Sequence, residues 1–519
     1  MHYDVIVIGS GPGGASLAQR LAPTGKKILI LERGDYLPRE RENWDAKTVF
    51  LDGKYQAKED WYDSAGRLFH PGLHYAVGGN SKVYGAALLR LRARDFEELQ
   101  HEDGISPAWP VPYAEFEPYY GEAETLFHVH GKQGEDPTEP WRSAPFPYPP
   151  VSHEPRIAAL SDGFAAEGLH PFHLPLGILL DEDASGRASP TSICIRCNAF
   201  DGFPCLLNGK ADAQVVCIDP TLAAHDNVTL LTGALAETLL TDPTGKTVTG
   251  VRVVKDGEAM VLTADLFVVA CGALSSALLL LRSANARHPN GLANGSDQVG
   301  RNYMRHNQSV LMALMKAPVD VVFQKTLAVA DYYFGAPDDP FPLGLIQMCA
   351  KTHPAQIKAE ALPSWLSFAP ELPFAVMADH ALDFWLSSED LPRPENRIAL
   401  GADGKVSLHL TETNMGEHRR LRQRLETVMT RLGAHEKLLD HRLYLGQDIA
   451  LNGTAHQAGT ARFGTDPANS VLDLNCKAHE LDNLYVVDAS FFPSIGAVNP
   501  TLTIIANALR VADHLKGRL

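Results

Sequence analysis

The residues of clearest chemical use come at the start of the chain. Gly9, Gly11 and Gly14 fall within Gly9-Ser10-Gly11-Pro12-Gly13-Gly14, directly after the apolar run Val5-Ile6-Val7-Ile8; Glu32 follows a second apolar run, Lys27 to Leu31, 18 residues beyond Gly14. Strand, glycine turn, helix, strand and acid in that order are what dinucleotide binding needs. Gly9 permits the tight turn, Gly11 lets backbone N–H groups approach a pyrophosphate, and Gly14 lets the following helix pack close to the sheet. The helix N-terminus then faces phosphate charge, and Glu32, with Arg33 beside it, is placed to meet ribose hydroxyls. On these residues alone, flavin and nicotinamide dinucleotides fit equally.

A second small-residue loop, Val77-Gly78-Gly79-Asn80-Ser81-Lys82-Val83-Tyr84-Gly85, has two adjacent glycines that would let backbone lie against a flat ring or a diphosphate. A plain flexible loop would look the same. Near the C-terminus, Asn499-Pro500-Thr501 precedes the apolar run from Leu502 to Leu509, the signature of a helix with Asn as N-cap and Pro at its first position. The third eye-catching group is Cys194-Ile195-Arg196-Cys197 with Cys205. Three thiolates could hold an iron-sulfur cluster, whereas a structural zinc wants four ligands. No neighbouring His completes a set, so loop or buried thiols are the expectation and no metal is expected.

The elements that must position these residues are set by length and composition. The chain has 519 residues, 45% hydrophobic and 21% charged, which is ordinary globular composition. At about 150 residues per domain the first expectation is two to four domains. Forty-six basic against 62 acidic side chains give a net charge of −16, which argues against a nucleic-acid or anionic-membrane binder. Seven cysteines, an odd number, do not read as a secreted disulfide framework. The apolar runs fall short of the roughly 20 residues a bilayer span needs, and no leader precedes Val5. A cytoplasmic protein is expected.

With the second glycine loop on view, the sequence resembles the glucose-methanol-choline (GMC) family of flavin oxidoreductases. Later segments extend the resemblance: the strand Asn227 to Leu231 with Val228; Leu266 to Ala273 with Ala270 and Gly272; Val299 to His306; His456-Gln457-Ala458-Gly459-Thr460; and Asn483 to Ser490 with Asp488, leading to Asn499-Pro500-Thr501-Leu502-Thr503. The resemblance implies an FAD-dependent enzyme that oxidises a hydroxyl. His456 is implied as its base, since a neutral imidazole exchanges protons in the working pH range; Asn499 is implied as its partner, against the N-cap reading of the same residue. Gly78, Gly79, Asn80, Ser81, Tyr84, Val228, Ala270, Gly272, Asp488, Pro500 and Thr501 are implied cofactor contacts. Within the family the ending and the Gly78 loop look more like pyranose oxidases and bacterial glycoside 3-oxidases than glucose or choline oxidase, so a carbohydrate or glycoside is the implied substrate and oxygen or a quinone the acceptor. A non-sugar alcohol is the alternative. Val83 stands where fungal pyranose oxidases carry the His that binds flavin covalently, so noncovalent FAD is expected, with His70 and His74 as loop or strand residues.

The landmarks reduce the expected domains to two, interleaved: residues 1–90, 191–300 and 446–519 as a Rossmann-like FAD-binding domain, and 91–190 with 301–445 as a substrate domain built on an antiparallel sheet with helices. The class is α/β, α+β overall. Strands are read at Ser309 to Leu314, Leu343 to Met348 and Val406 to Leu410, and a charged helix at Glu417 to Leu432. Gln347 is a candidate for meeting sugar hydroxyls, although a polar strand residue more often faces solvent. Phe323, Tyr332, Tyr333 and Trp385 are candidates for stacking on a pyranose ring, with core packing the default for each.

Overall fold

A computed structural model describes residues 2–361, 370, 372–435, 439–440 and 456–519. The expected domain boundary at 445/446 lies outside these residues. In chain order, the elements that frame the site are β1 (His2–Ile8), α1 (Pro12–Leu21), β2 (Ile28–Leu31), α2 (Tyr113–Leu126), β3 (Pro171–His173), β4 (Val228–Leu231), β5 (Ala234–Thr241), β6 (Val248–Lys255), β7 (Glu258–Val269) and α3 (Ala273–Arg282). They continue with β8 (Asn307–Leu314), β9 (Leu327–Val329), β10 (Leu345–Met348), β11 (Ala381–Ser388), α4 (Met415–Arg431), β12 (Leu439–Asp440), β13 (Leu484–Val486) and α5 (Thr501–Lys516). The strands read at 309–314, 343–348 and 406–410 and the charged helix are present within a few residues of their expected ends.

Two sheets organise the chain. A seven-stranded sheet runs β4-β2-β1-β7-β6-β5, with β13 also paired to β7. Its centre is parallel: Val5 is opposite Ile28 on one side and Leu266 on the other. Strands of that kind are covered on both faces, which is why Val5, Ile6 and Val7 are apolar without alternation and fully buried. Each such side chain contributes about 1.5–3 kcal/mol on burial. β7 is long because it does two jobs, pairing antiparallel with β6 through its first half and parallel with β1 and β13 through its second. The other sheet, β12-β8-β11-β10-β9-β3, is antiparallel at every described pairing. The Rossmann-like α/β class with an added antiparallel sheet is therefore the observed one.

α5 is apolar almost all round because it is enclosed. Leu502, Ile505, Ala506, Ala508 and Leu509 are buried, and the helix packs between α1 and α2. Tyr120 of α2 hydrogen-bonds Thr503 (2.8 Å), and Arg20 of α1 donates from two nitrogens to both oxygens of Asp513 (2.8 and 2.7 Å). The first and last helices are thus clamped together.

Close backbone approach governs α1. A β-carbon at Gly14 would fall on the carbonyl oxygen of Gly9, one at Gly13 on that of Val487, and one at Gly9 (φ +107°) on that of Ala270. Gly14→Ala is expected to destabilise the protein by roughly 1–3 kcal/mol or more, because neither backbone can give way. Thermal or denaturant unfolding of the purified variant checks this, and a variant as stable as the parent contradicts it.

Candidate active site

One cavity of about 610 Å³ lies between the sheets, and its wall gathers segments from the whole chain. Gly9, Gly11, Glu32, Arg33, Gly79, Asn80, Ser81, Tyr84, Ala270, Gly272, Gln347, His456, Asp488, Asn499, Pro500 and Thr501 all line it. Gly14 and Gly78 do not line it; they stand behind it, where Gly14 seats α1 and Gly78 (φ +94°) opens the turn into Gly79. Val228 is a correction in place. It is buried in β4 opposite Ile28, and the wall is formed instead by Ala234, Leu235 and Ala236 at the start of β5. β4 and β5 are consecutive in sequence but stand at opposite ends of the strand order, and only the start of β5 reaches the cavity.

The phosphate end is built from uncapped helix starts. α1, α3 and α5 begin after Gly11, Gly272 and Pro500, none of which supplies a side-chain cap, and all three residues line the cavity. Free N–H groups and the positive dipole ends of three helices therefore converge on one space. A β-carbon at Gly11 or Gly272 would meet no protein atom within 4 Å, so both positions leave room for a group lying against bare backbone. A dinucleotide diphosphate fits this cradle. Gly11→Ala is expected to leave the stability of the cofactor-free protein unchanged while weakening FAD binding at least tenfold, about 1.4 kcal/mol. Flavin titration against thermal unfolding separates it from Gly14→Ala; equal FAD affinity in Gly11→Ala and the parent contradicts it.

Acids hold this cradle together. Glu32 accepts from Ser10 N (3.1 Å), Ser10 Oγ (2.6 Å) and Gly34 N (2.9 Å), and burial raises its carboxyl against the lowering effect of those bonds. Ser10 Oγ in turn accepts from Gly78 N (3.0 Å), tying the first glycine loop to the second. Arg33 pairs with Glu59 and lies over the Tyr75 ring, 4.0 Å from its centre. Asp488 accepts from Gly272 N (3.0 Å), Ser276 Oγ and Ser490 N (2.9 Å), which fixes the start of α3. Asn80 and Ser81 shape their own loop, Asn80 Oδ1 accepting from His74 N (2.9 Å) and Ser81 Oγ from Ala213 N (3.0 Å); Tyr84 donates to Ala211 O (2.8 Å).

The other end carries the proton chemistry. His456 Nε2 faces Asn499 Nδ2 at 3.4 Å, and Asn499 Oδ1 accepts from Gln347 Nε2 at 3.2 Å. Asn499 makes no cap: α5 starts at Thr501, and the Asn499 amide points to His456 and Gln347 instead. Gln347 is 1% exposed, so its strand position faces the cavity and not solvent, and its Oε1 has no partner. Burial first, then His306 and Lys325, lower the His456 pKa well below 6.5, which keeps the imidazole neutral and able to accept a proton.

Several residues on or behind the cavity wall lie outside the site candidates of the sequence. Lys325, 4% exposed, pairs with Asp201 at 2.6 Å, and both border the cavity. His306 and Gln308 lie 2.9 and 2.7 Å from His456 Nδ1. His306 closes the Val299 to His306 landmark, the one signal that pointed to it. His74 lines the cavity with Nδ1 unpaired. Of the aromatic candidates, Trp385 borders the cavity, whereas Phe323 packs edge-on against Phe200 and Tyr333 bonds Asp95. Cys197 donates to Ala199 O, Cys205 accepts from Gly209 N, and all seven cysteines are free thiols. Among the described residues no group of three or more His, Cys, Asp or Glu side chains is arranged to hold a metal, and no helix is long and apolar enough to cross a membrane.

A dinucleotide cradle that shares its cavity with a neutral imidazole is the layout of an oxidoreductase site, and comparison with known proteins agrees. Family models described as GMC oxidoreductase match residues 180–308 and 403–508, and one described as an NAD(P)-binding Rossmann-like domain matches residues 7–43. The chain is 32% identical to 6'''-hydroxyparomomycin C oxidase of Streptomyces lividus (99% of this chain, 92% of the relative) and 30% identical to paromamine 6'-oxidase of Streptomyces fradiae (100% and 92%). The crystal structure of pyridoxine 4-oxidase from Mesorbium loti superposes with a TM-score of 0.66 at 18% identity, covering 99% of both chains. The chain belongs to the GMC oxidoreductase family and is an oxidoreductase acting on alcohol groups.

Proposed function

We propose that the chain oxidises a hydroxyl of a sugar or glycoside to a carbonyl, with His456 as base and Asn499 as its partner. The observation that carries this reading is the constellation of His456 Nε2, the Asn499 amide and the unpaired Gln347 Oε1 on one cavity wall. FAD bound noncovalently in the cradle supplies the hydride acceptor. His456 Nε2 takes the hydroxyl proton, Asn499 Nδ2 donates to the substrate oxygen and holds it beside the imidazole, and Gln347 Oε1 accepts from a neighbouring hydroxyl, which a polyol offers and a simple alcohol does not. The two aminoglycoside oxidases among the relatives support a sugar-like substrate. The motif likeness to pyranose and glycoside 3-oxidases supports a pyranose ring. The division proposed is residues 1–90, 191–300 and 446–519 for the cofactor and 91–190 with 301–445 for the substrate; the seven free thiols support a reducing, cytoplasmic setting.

Anaerobic mixing with monosaccharides, glycosides, aminoglycosides and simple alcohols, followed by oxygen and then a quinone, tests this reading. Sugars or glycosides should bleach the flavin; bleaching by simple alcohols alone overturns the substrate class, and the second step identifies the acceptor. His456→Ala is expected to retain FAD and lose at least a hundredfold in flavin reduction, whereas a nearly active variant removes His456 from the role of base. Because the imidazole is held below its usual pKa, the acid limb of kcat/KM should lie below pH 6.5: the base is already neutral at that pH and becomes protonated only under more acidic conditions. Acid precipitation should leave the yellow chromophore in the supernatant, since Val83 offers no attachment point; colour in the pellet would point to His74.

A further inference from the structure

We propose that His306 and Gln308 are positioning residues that fix the tautomer of His456, holding its proton on Nδ1 so that Nε2 presents a lone pair to the substrate. The inference rests on the reading of His456 as base and deepens it. A neutral imidazole carries one proton, and only the tautomer with Nε2 free can take a proton from a hydroxyl in the cavity.

The local backbone brings the three side chains together. Gln457–Ala458 pairs antiparallel with Met304–Arg305, with Arg305 opposite Gln457. One step further along each strand, His306 and His456 meet edge to face, with ring centres 5.0 Å apart. Gln308 follows two residues after His306 and reaches the same nitrogen.

The proton assignment starts from a group whose polarity is fixed. The carbonyl of Ile495 can only accept, and it lies 3.5 Å from His306 Nε2, so that nitrogen carries the His306 proton. Burial keeps His306 neutral by lowering it to about 4, leaving Nδ1 as its acceptor. That acceptor lies 2.9 Å from His456 Nδ1, which must therefore donate. Asn499 agrees in the orientation in which Gln347 Nε2 donates to its Oδ1, because its Nδ2 then faces His456 Nε2 at 3.4 Å. The structure places Gln308 Nε2 at 2.7 Å from His456 Nδ1 and leaves Oε1 unpaired; the two ends of an amide are distinguished only by their hydrogen bonds, and the proposal requires this one turned by 180°, so that Oε1 accepts from His456 Nδ1–H. When the hydroxyl proton moves to Nε2, His456 becomes an imidazolium whose Nδ1–H stays shared between His306 and Gln308.

The Ile495 carbonyl is itself held in place. Gly496 N donates to Glu389 Oε1 (3.0 Å), Ala497 N to the Tyr333 hydroxyl (2.9 Å) and Ser387 Oγ to Ala497 O (2.7 Å). Glu389 also contacts His101, which lies between Glu389 and Glu417; against burial, these two carboxylates raise it to about 10. Apart from His306, the charged group acting on His456 is Lys325, and it opposes protonation.

The test uses the FAD-loaded enzyme in four variants, with His456→Ala as the reference for loss of the base. His306→Phe keeps the ring and removes the acceptor; His306→Asn restores an acceptor where Nδ1 stood. Flavin reduction should fall roughly tenfold to a hundredfold in His306→Phe, with little change in the substrate concentration for half-maximal rate, and recover in His306→Asn. Gln308→Glu, an acceptor only, should still reduce flavin, with its acid limb moved to higher pH; Gln308→Met should be slow. Nuclear magnetic resonance of 15N-histidine-labelled protein should show the His456 resonances, identified by their loss in His456→Ala, with the proton on Nδ1, and shifted toward the other tautomer in His306→Phe. A His306→Phe enzyme with parental rate and acid limb, a His306→Asn enzyme no faster than His306→Phe, or a proton found on Nε2 overturns the proposal. An inactive Gln308→Glu enzyme assigns Gln308 as donor and overturns it as well. If His456→Ala itself stays active, it is the reading of His456 as base that fails.

Discussion

Three backbone carbonyls set the geometry on which everything else depends. The oxygens of Gly9, Val487 and Ala270 lie where β-carbons of Gly14, Gly13 and Gly9 would stand, so the start of α1 is pressed against β1, the residue after β13 and the end of β7 at once. These contacts come from residues at opposite ends and the middle of the chain. Glycine is required by contact distance at all three positions, whereas at Gly11 it is the emptiness beyond the α-carbon that matters. One six-residue loop thus uses the missing side chain in two senses, to let protein in close and to leave space for a diphosphate.

The opposite wall depends on polar anchoring. The 494–499 loop carries Asn499 at its end and the Ile495 carbonyl near its start, and its groups are bonded to Trp109, Glu389, Tyr333 and Ser387. All four partners are buried, where each unpaired polar group would cost about 1–3 kcal/mol. The loop is therefore held in one conformation by the antiparallel sheet and its surroundings, and α5 continues directly from it. The helix start that faces the cradle and the amide that faces His456 are two consequences of the same loop.

The cofactor end was legible in the sequence because its constraints are local: glycines at fixed spacing, an acid after a buried strand, an apolar helix after Pro500. Gly13 was missed because the carbonyl it meets, Val487, is distant in sequence. Val228 differs for a related reason, since a strand motif does not say whether that strand or the next one in sequence reaches the cavity. The substrate end was legible only by resemblance. The rule that polar strand residues face solvent fails at Gln347, because its strand borders an internal cavity. Gln308, Lys325 and Asp201 carry no sequence signal singly, and His306 has only the landmark that it closes; their roles come from a register that pairs 304–305 with 457–458 and a contact that joins 201 to 325.

The two ends also have opposite electrostatic characters, and the proposed reaction needs both. Burial, His306 and Lys325 make His456 reluctant to hold a proton, so the base alone favours returning it to the substrate oxygen. The starts of α1, α3 and α5 favour negative charge elsewhere along the wall of the same cavity. In the proposed oxidation the carbon would lose a hydride, which bound FAD would accept, and the hydroxyl would lose its proton to the imidazole. Lys325, paired with Asp201, adds a smaller repulsion to the burial that holds the imidazole neutral.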